Sequence, residues 1–150
     1  MPDIIHRIGI KAPVDQVSRA LTTVEGIAGW WTEETTGSAA TGGIVTVRFS
    51  DHGVEKGKMT IEVTRAALDD VSWRVQAGPP EWIGTDISFR LTQEGDMTLI
   101  IFGHLNWPEA GDFMGHCSMK WAVFLLSLRS LIETGRGSPA PRDLKIDNWN

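Results

Sequence analysis

From Phe113 to Glu133, the residues Phe113, Cys117, Trp121, Phe124, Leu125, Leu128, Leu131 and Ile132 recur at three- and four-residue steps. That is the period of one face of an α-helix. Upstream the period falls to two. Ile4, His6, Ile8 and Ile10 alternate with Ile5, Arg7, Gly9 and Lys11 as a first strand. Val45, Val47 and Phe49 open a second, Gly57, Met59, Ile61 and Val63 a third, and Val71, Trp73 and Val75 a fourth. Thr85, Ile87, Phe89 and Leu91 make a fifth, and a sixth runs from Met97 to about Leu105. Turn residues at Asp51-His52-Gly53, near Asp69-Asp70 and at Gly95-Asp96 join strands over hairpin distances, which predicts antiparallel pairing.

Between the first two strands, Val17, Ala20, Leu21 and Val24 predict a short helix after Pro13. Glu25-Gly26 is expected to interrupt it, with one more turn from Ile27 to Trp31. Thr32 to Gly43, rich in Thr, Gly, Ser and Ala, reads as a loop. Gly135 is placed as the C-terminal cap of the long helix. Residues 136–150, with two prolines, are expected to extend over the surface, with Trp149 either docked or free. The fold class is therefore α+β: about six antiparallel strands, two short helices after the first, and a long C-terminal helix. A long apolar helix must lie across such a sheet, because both elements have a face to bury. If the sheet curves, the space between them is a pocket. Both registers of the sixth strand are apolar, Ile100 and Phe102 on one face and Leu99 and Ile101 on the other. It is either covered on both sides or part of an oligomer contact.

The chain of 150 residues fits one domain spanning 1–150, and at this size roughly 70% of the unfolded chain's surface is buried. The single cysteine, Cys117, excludes an internal disulfide. The N-terminus has no signal-peptide pattern, and no apolar run approaches the roughly 20 residues needed to span a bilayer. A cytoplasmic protein with no membrane insertion is expected. A net charge of −5 without blocks of like charge argues against a nucleic-acid partner. Seven tryptophans with no tyrosine reflect either drift or large rings lining an apolar cavity.

Catalytic signatures are missing. There is no phosphate-binding loop, nucleophile elbow or dinucleotide fingerprint, and His6, His52, His104 and His116 lack metal-ligand spacing. No metal and no cofactor is expected. Cys117 lies on the apolar helical stripe, and His116 beside it projects about 100° away, so an activated thiolate is disfavoured. His104 shares a face with Thr98, Ile100 and Phe102. It is either a polar group pointing into the pocket, able to act as acid or base near its ordinary pKa, or a histidine satisfied at a strand end. Trp30-Trp31 either gate the pocket or divide into one core and one half-exposed ring.

Several segments, in order along nearly the whole chain, carry a family resemblance. They are Ile8-Gly-Ile-Lys-Ala-Pro13, Gly26-Ile-Ala-Gly-Trp-Trp31, Gly42-Gly43 before a strand, Val71-Ser-Trp73, Trp82-Ile-Gly-Thr85, Thr98 to His104, and Trp121 to Gly135. Together they resemble the START-like (SRPBCC, birch-pollen-allergen-type) superfamily, in the branch of homologues of the heat-shock-protein-90 ATPase activator. The resemblance implies a helix-grip fold, a curved sheet wrapped around the C-terminal helix with an apolar cavity between. It implies a cavity lining of Trp30, Phe49, Met59, Trp73, Phe89, Ile100, Phe102, His104, Phe113, Cys117 and Trp121. The expected function is binding of a hydrophobic or aromatic small molecule, with His104 as polar anchor. The alternatives are a cyclase or dehydratase using His104 as acid or base, and a protein-interaction module, including a homodimer. The nearly all-apolar inward set, without tyrosine, weighs against an enzyme.

Overall fold

In every hairpin the apolar residues fall on the same side of the sheet, so the pairing register can be checked against the pattern. The computed structural model describes residues 1–150. Its elements are β1 (Ile4–Ile10), α1 (Val14–Thr22), α2 (Val24–Trp30), β2 (Glu34–Gly37), β3 (Ile44–Asp51), β4 (Val54–Ala66), β5 (Asp70–Ala77), β6 (Asp86–Glu94), β7 (Met97–Leu105) and α3 (Asp112–Thr134). The seven strands form one antiparallel sheet in the order β1-β7-β6-β5-β4-β3-β2. Inward residues oppose inward residues: Phe102 stands across from Phe89, Phe89 from Val71, Trp73 from Val63, and Val47 from Met59. All are buried or half-buried. Register shifts at Phe49/Ser50, Thr60/Ile61 and Val63/Arg65 lie on β3 and β4, where bulges bend a strand and add twist. The fold is the expected helix-grip.

The seventh strand is β2, inside the segment that reads as a loop. Its sequence, Glu-Thr-Thr-Gly, has no apolar alternation, and only Thr35 is buried. It is a short polar edge strand, the kind that discourages pairing with other chains. Gly37 closes it at φ 111°, where a Cβ would meet the Ile44 carbonyl. The break between the two short helices falls at Thr23 rather than at Glu25-Gly26. Thr23 has extended backbone, and its hydroxyl accepts from the Gly26 N–H at 3.0 Å, so it caps α2. Gly135 ends α3 in the left-handed region at φ 85°, its N–H bonded to the Leu131 carbonyl. β7 lies between β1 and β6, and its outward Leu99 and Ile101 are half-buried.

Nor is the C-terminal segment a loose extension. The Ala140 N–H bonds to the Trp31 carbonyl, the Glu33 N–H bonds to the Ala140 carbonyl, and the Ser138 N–H bonds to the Ser127 hydroxyl. Further on, Asp143 pairs with Lys120 of α3 and Asp147 with His116. The chain thus runs back along α3.

Behind α3 the core is dominated by aromatic rings. Trp31 lies 5.7 Å from Trp73 in a stacked pair and 5.2 Å from Trp121. Trp121 stacks on Trp82 at 5.9 Å and tilts against Phe102 at 4.7 Å. One ring therefore joins the helix to β7, to the loop before β6 and to the end of α2. Trp121→Ala is expected to lower stability by about 3–5 kcal/mol, the range for emptying a large core site. Urea unfolding at neutral pH measures it.

Candidate functional site

Aromatic packing between α3 and the sheet is concentrated at Trp121 and Phe124, and toward the N-terminal end of the helix it leaves a gap. A cavity of about 190 Å³ remains there, bounded by Trp31, Phe49 and Met59 on one side and by Phe113, Cys117, Trp121 and Phe124 on the other. Trp82 forms part of the wall. The mouth is framed by Lys56, His116, Lys120, Asp143, Trp149 and Asn150. The helical residues follow from spacing: positions 113, 116, 117, 120, 121 and 124 form one stripe.

Of the expected lining, Phe49, Met59, Phe113, Cys117 and Trp121 border this cavity. Trp30, Trp73, Phe89, Ile100, Phe102 and His104 do not. All six are fully buried in the core. The physical reason is the size of the indoles: Trp31, Trp82 and Trp121 fill the depth of the grip, leaving space only at its mouth. Trp30 and Trp31 neither gate the mouth nor divide into one core and one half-exposed ring. Both are buried, Trp30 is tied through its indole N–H to the Ala20 carbonyl at 2.9 Å, and Trp31 forms the cavity floor.

His104 occupies a closed hydrogen-bond chain. The Trp121 indole N–H donates to His104 Nδ1 at 3.0 Å. An indole N–H can only donate, so Nδ1 carries no proton and Nε2 does. Nε2–H then donates to Thr85 Oγ1 at 2.8 Å, and the Thr85 hydroxyl donates to the Trp82 carbonyl at 2.5 Å. Burial pushes the His104 pKa down to about 3. Both ring nitrogens are engaged and the ring is neutral near pH 7, which removes the acid–base role and the role of polar anchor facing the cavity. His104 is a structural histidine that orients Trp121.

Cys117 borders the cavity, but burial pushes its thiol up to about 12, and the Trp82 indole N–H nearby offsets this only in part. The thiolate needed for nucleophilic attack is therefore absent near neutral pH. Trp82 Nε1 itself is buried with no acceptor in hydrogen-bond geometry. No group of three or more His, Cys, Asp or Glu side chains is placed to hold a metal ion.

None of the six residues at the mouth is among those expected from sequence, and two of them, Lys120 and Asp143, form a buried pair. Lys120, on α3, is buried, and its ammonium donates to Asp143 Oδ2, to the Leu144 carbonyl at 2.9 Å and to Asn150 Oδ1 at 3.1 Å. Burial raises the pKa of Asp143, but Lys120 and Lys145 outweigh it and hold the carboxyl below its usual range. The available signal was a lysine three residues after Cys117, on the apolar stripe. No local pattern marks Asp143.

The chain is 42% identical to Aha1 from Colwellia psychrerythraea, a protein whose solution structure is a dimer. The match covers 91% of this chain and all of the other, with a TM-score of 0.80. CalU16 from Micromonospora echinospora is 23% identical over 97% of this chain and 74% of its own, with a TM-score of 0.74. DynU16, from the dynemicin biosynthetic locus, is 24% identical over 91% of this chain and 49% of its own, with a TM-score of 0.72. At those identities the last two show the fold alone. No family model and no curated protein matches the chain.

The pKa of His104 has a thermodynamic consequence. The unfolded chain binds a proton at about pH 6.5, whereas the folded chain resists it until about pH 3. Stability from this residue is therefore complete above pH 6.5 and is lost as pH falls toward 3. Between pH 7 and pH 5 the loss is about 2 kcal/mol, using 1.36 kcal/mol per unit. His104→Gln is expected to flatten that part of the curve, as read from urea unfolding at both pH values.

Proposed function

This chain belongs to the Aha1 family of helix-grip domains, and from that premise we propose that it binds a hydrophobic or aromatic small molecule between the sheet and α3. One observation carries the reading. The apolar space sits at the mouth of the grip, walled by Phe49, Met59, Phe113, Cys117 and Trp121 and opening toward polar groups. Ligand sites combine these features, an apolar concavity and a few polar groups at one end. The buried rings behind it, Trp73, Phe89 and Phe102 among them, serve as a rigid back wall. Burial of an apolar body contributes roughly 25 cal/mol per Å² removed from water, before the loss of its freedom.

Native mass spectrometry of freshly purified protein tests this. The expected spectrum has a defined added mass that leaves on denaturation and is missing from Cys117→Phe, whose ring occupies the space. An added mass that persists in Cys117→Phe would place the ligand elsewhere.

A second reading, self-association, rests on its own observation. α3 is apolar around much of its circumference, yet the fold buries only one side. Met119 and Leu126 remain 57% and 48% exposed on α3, with Leu144 of the C-terminal segment beside Leu126. The dimeric state of the Colwellia protein favours a contact between two copies, for which this surface is the apolar face available. Light scattering is expected to give about twice the chain mass of 16.5 kDa, and Leu126→Glu should return it to one. A wild-type protein that stays monomeric up to high micromolar concentration would end this reading.

A further inference from the structure

The charges around the cavity are divided by origin. The sheet and α3 contribute two lysines, Lys56 and Lys120, and a histidine, His116, that pairs with Asp147 of the C-terminal segment, although the chain as a whole carries −5. The only acidic side chain on the lining, Asp143, comes from the C-terminal segment. Lys120 spends its three ammonium hydrogens on that segment alone. Trp82, also on the lining, keeps its Nε1 buried without an acceptor, as do Trp73 and Trp107 away from the cavity.

Size points the same way. The cavity measures about 190 Å³, below the roughly 300–1,000 Å³ that encloses small organic ligands. Three of its lining residues, Asp143, Trp149 and Asn150, belong to the C-terminal segment. Trp149 is 55% exposed and is held by contacts with Phe113 and His116. Lifting the segment would enlarge the space and leave the Lys120 ammonium without a counter-ion, a condition that demands replacement. Asp143 would keep Lys145, 3.2 Å away.

Resting on the proposed ligand-binding cavity, we infer that the ligand is an amphipathic anion, an apolar body bearing one carboxylate or similar acidic group, which takes the place of Asp143 at Lys120 as residues 143–150 lift away. The exchange replaces one carboxylate by another, so the buried ammonium is never left bare. Asp143 is thus an internal occupant, and ligand affinity is set by competition with it.

Two probes with the same aromatic body separate charge from apolar burial: 8-anilino-1-naphthalenesulfonate, an anion, and N-phenyl-1-naphthylamine, which is neutral. Calorimetric titration of the full chain is expected to show the anion binding at least about tenfold more tightly, in keeping with a charge-assisted bond. Lys120→Met should erase that ratio. Asp143→Asn, which leaves Lys120 its two other acceptors, should strengthen anion binding several-fold, and by a larger factor than the neutral probe, which gains only from the looser segment. Hydrogen exchange across residues 143–150 should rise when the anion binds. Equal affinity for both probes, or a ratio that survives Lys120→Met, would overturn the anion assignment while leaving the cavity reading intact. Binding of neither probe would overturn both. Should Lys120→Met fail to fold, Asp143→Asn decides: unchanged anion affinity refutes the competition.

Discussion

The contact on which the rest depends is the hydrogen bond from Trp121 to His104, because it fixes how deep the helix sits in the sheet. Both groups are buried, so each needs a partner, and the partner each finds is on the other element. With the indole oriented, it stacks on Trp82 and tilts against Phe102 and Trp31. Moving α3 by a fraction of a turn would break that bond, leave a buried imidazole nitrogen bare and disturb three ring contacts together. The Thr85 hydroxyl, which relays the chain to the Trp82 carbonyl, holds the loop before β6 to the same arrangement. The cavity is what remains once these large groups have been seated.

How much of this was legible in the sequence depended on the length scale of the signal. Strands β3 to β7 and helix α3 announce themselves, because alternation and helical spacing each reflect one solvent boundary per element. The resemblance supplied the helix-grip, and the Colwellia protein, at 42% identity over its whole length, bears out that branch. β2 was hidden because an edge strand of Glu, Thr and Gly buries almost nothing and so has no reason to alternate. The break at Thr23 was misplaced by two or three residues. Gly26 is tolerated inside α2, and a capping hydroxyl is a weaker mark in sequence than a glycine.

The lining was half legible. Inward register identifies which strand residues turn away from solvent, and Trp73, Phe89, Ile100, Phe102 and His104 are buried as that register requires. Register does not say how far a ring reaches. Trp73 and Phe89 face inward and still do not touch the open space, since Trp31 stands in front of Trp73. His104 was ambiguous for the same reason: an inward polar group reads alike whether it meets a ligand or a neighbouring indole. Asp143 was invisible, because a pairing across 23 residues to a lysine within an apolar stripe leaves no local trace.

The placement of the tryptophans also makes the molecule self-reporting. Six of the seven indoles are sealed in the interior, and the seventh, Trp149, is half in solvent on the segment that frames the cavity mouth. Emission from the buried six should lie toward the blue and be strongly coupled among stacked neighbours. The red edge of the spectrum then belongs largely to one residue. Excitation at that edge follows the seating of the C-terminal segment in real time, with no label attached and without disturbing the core.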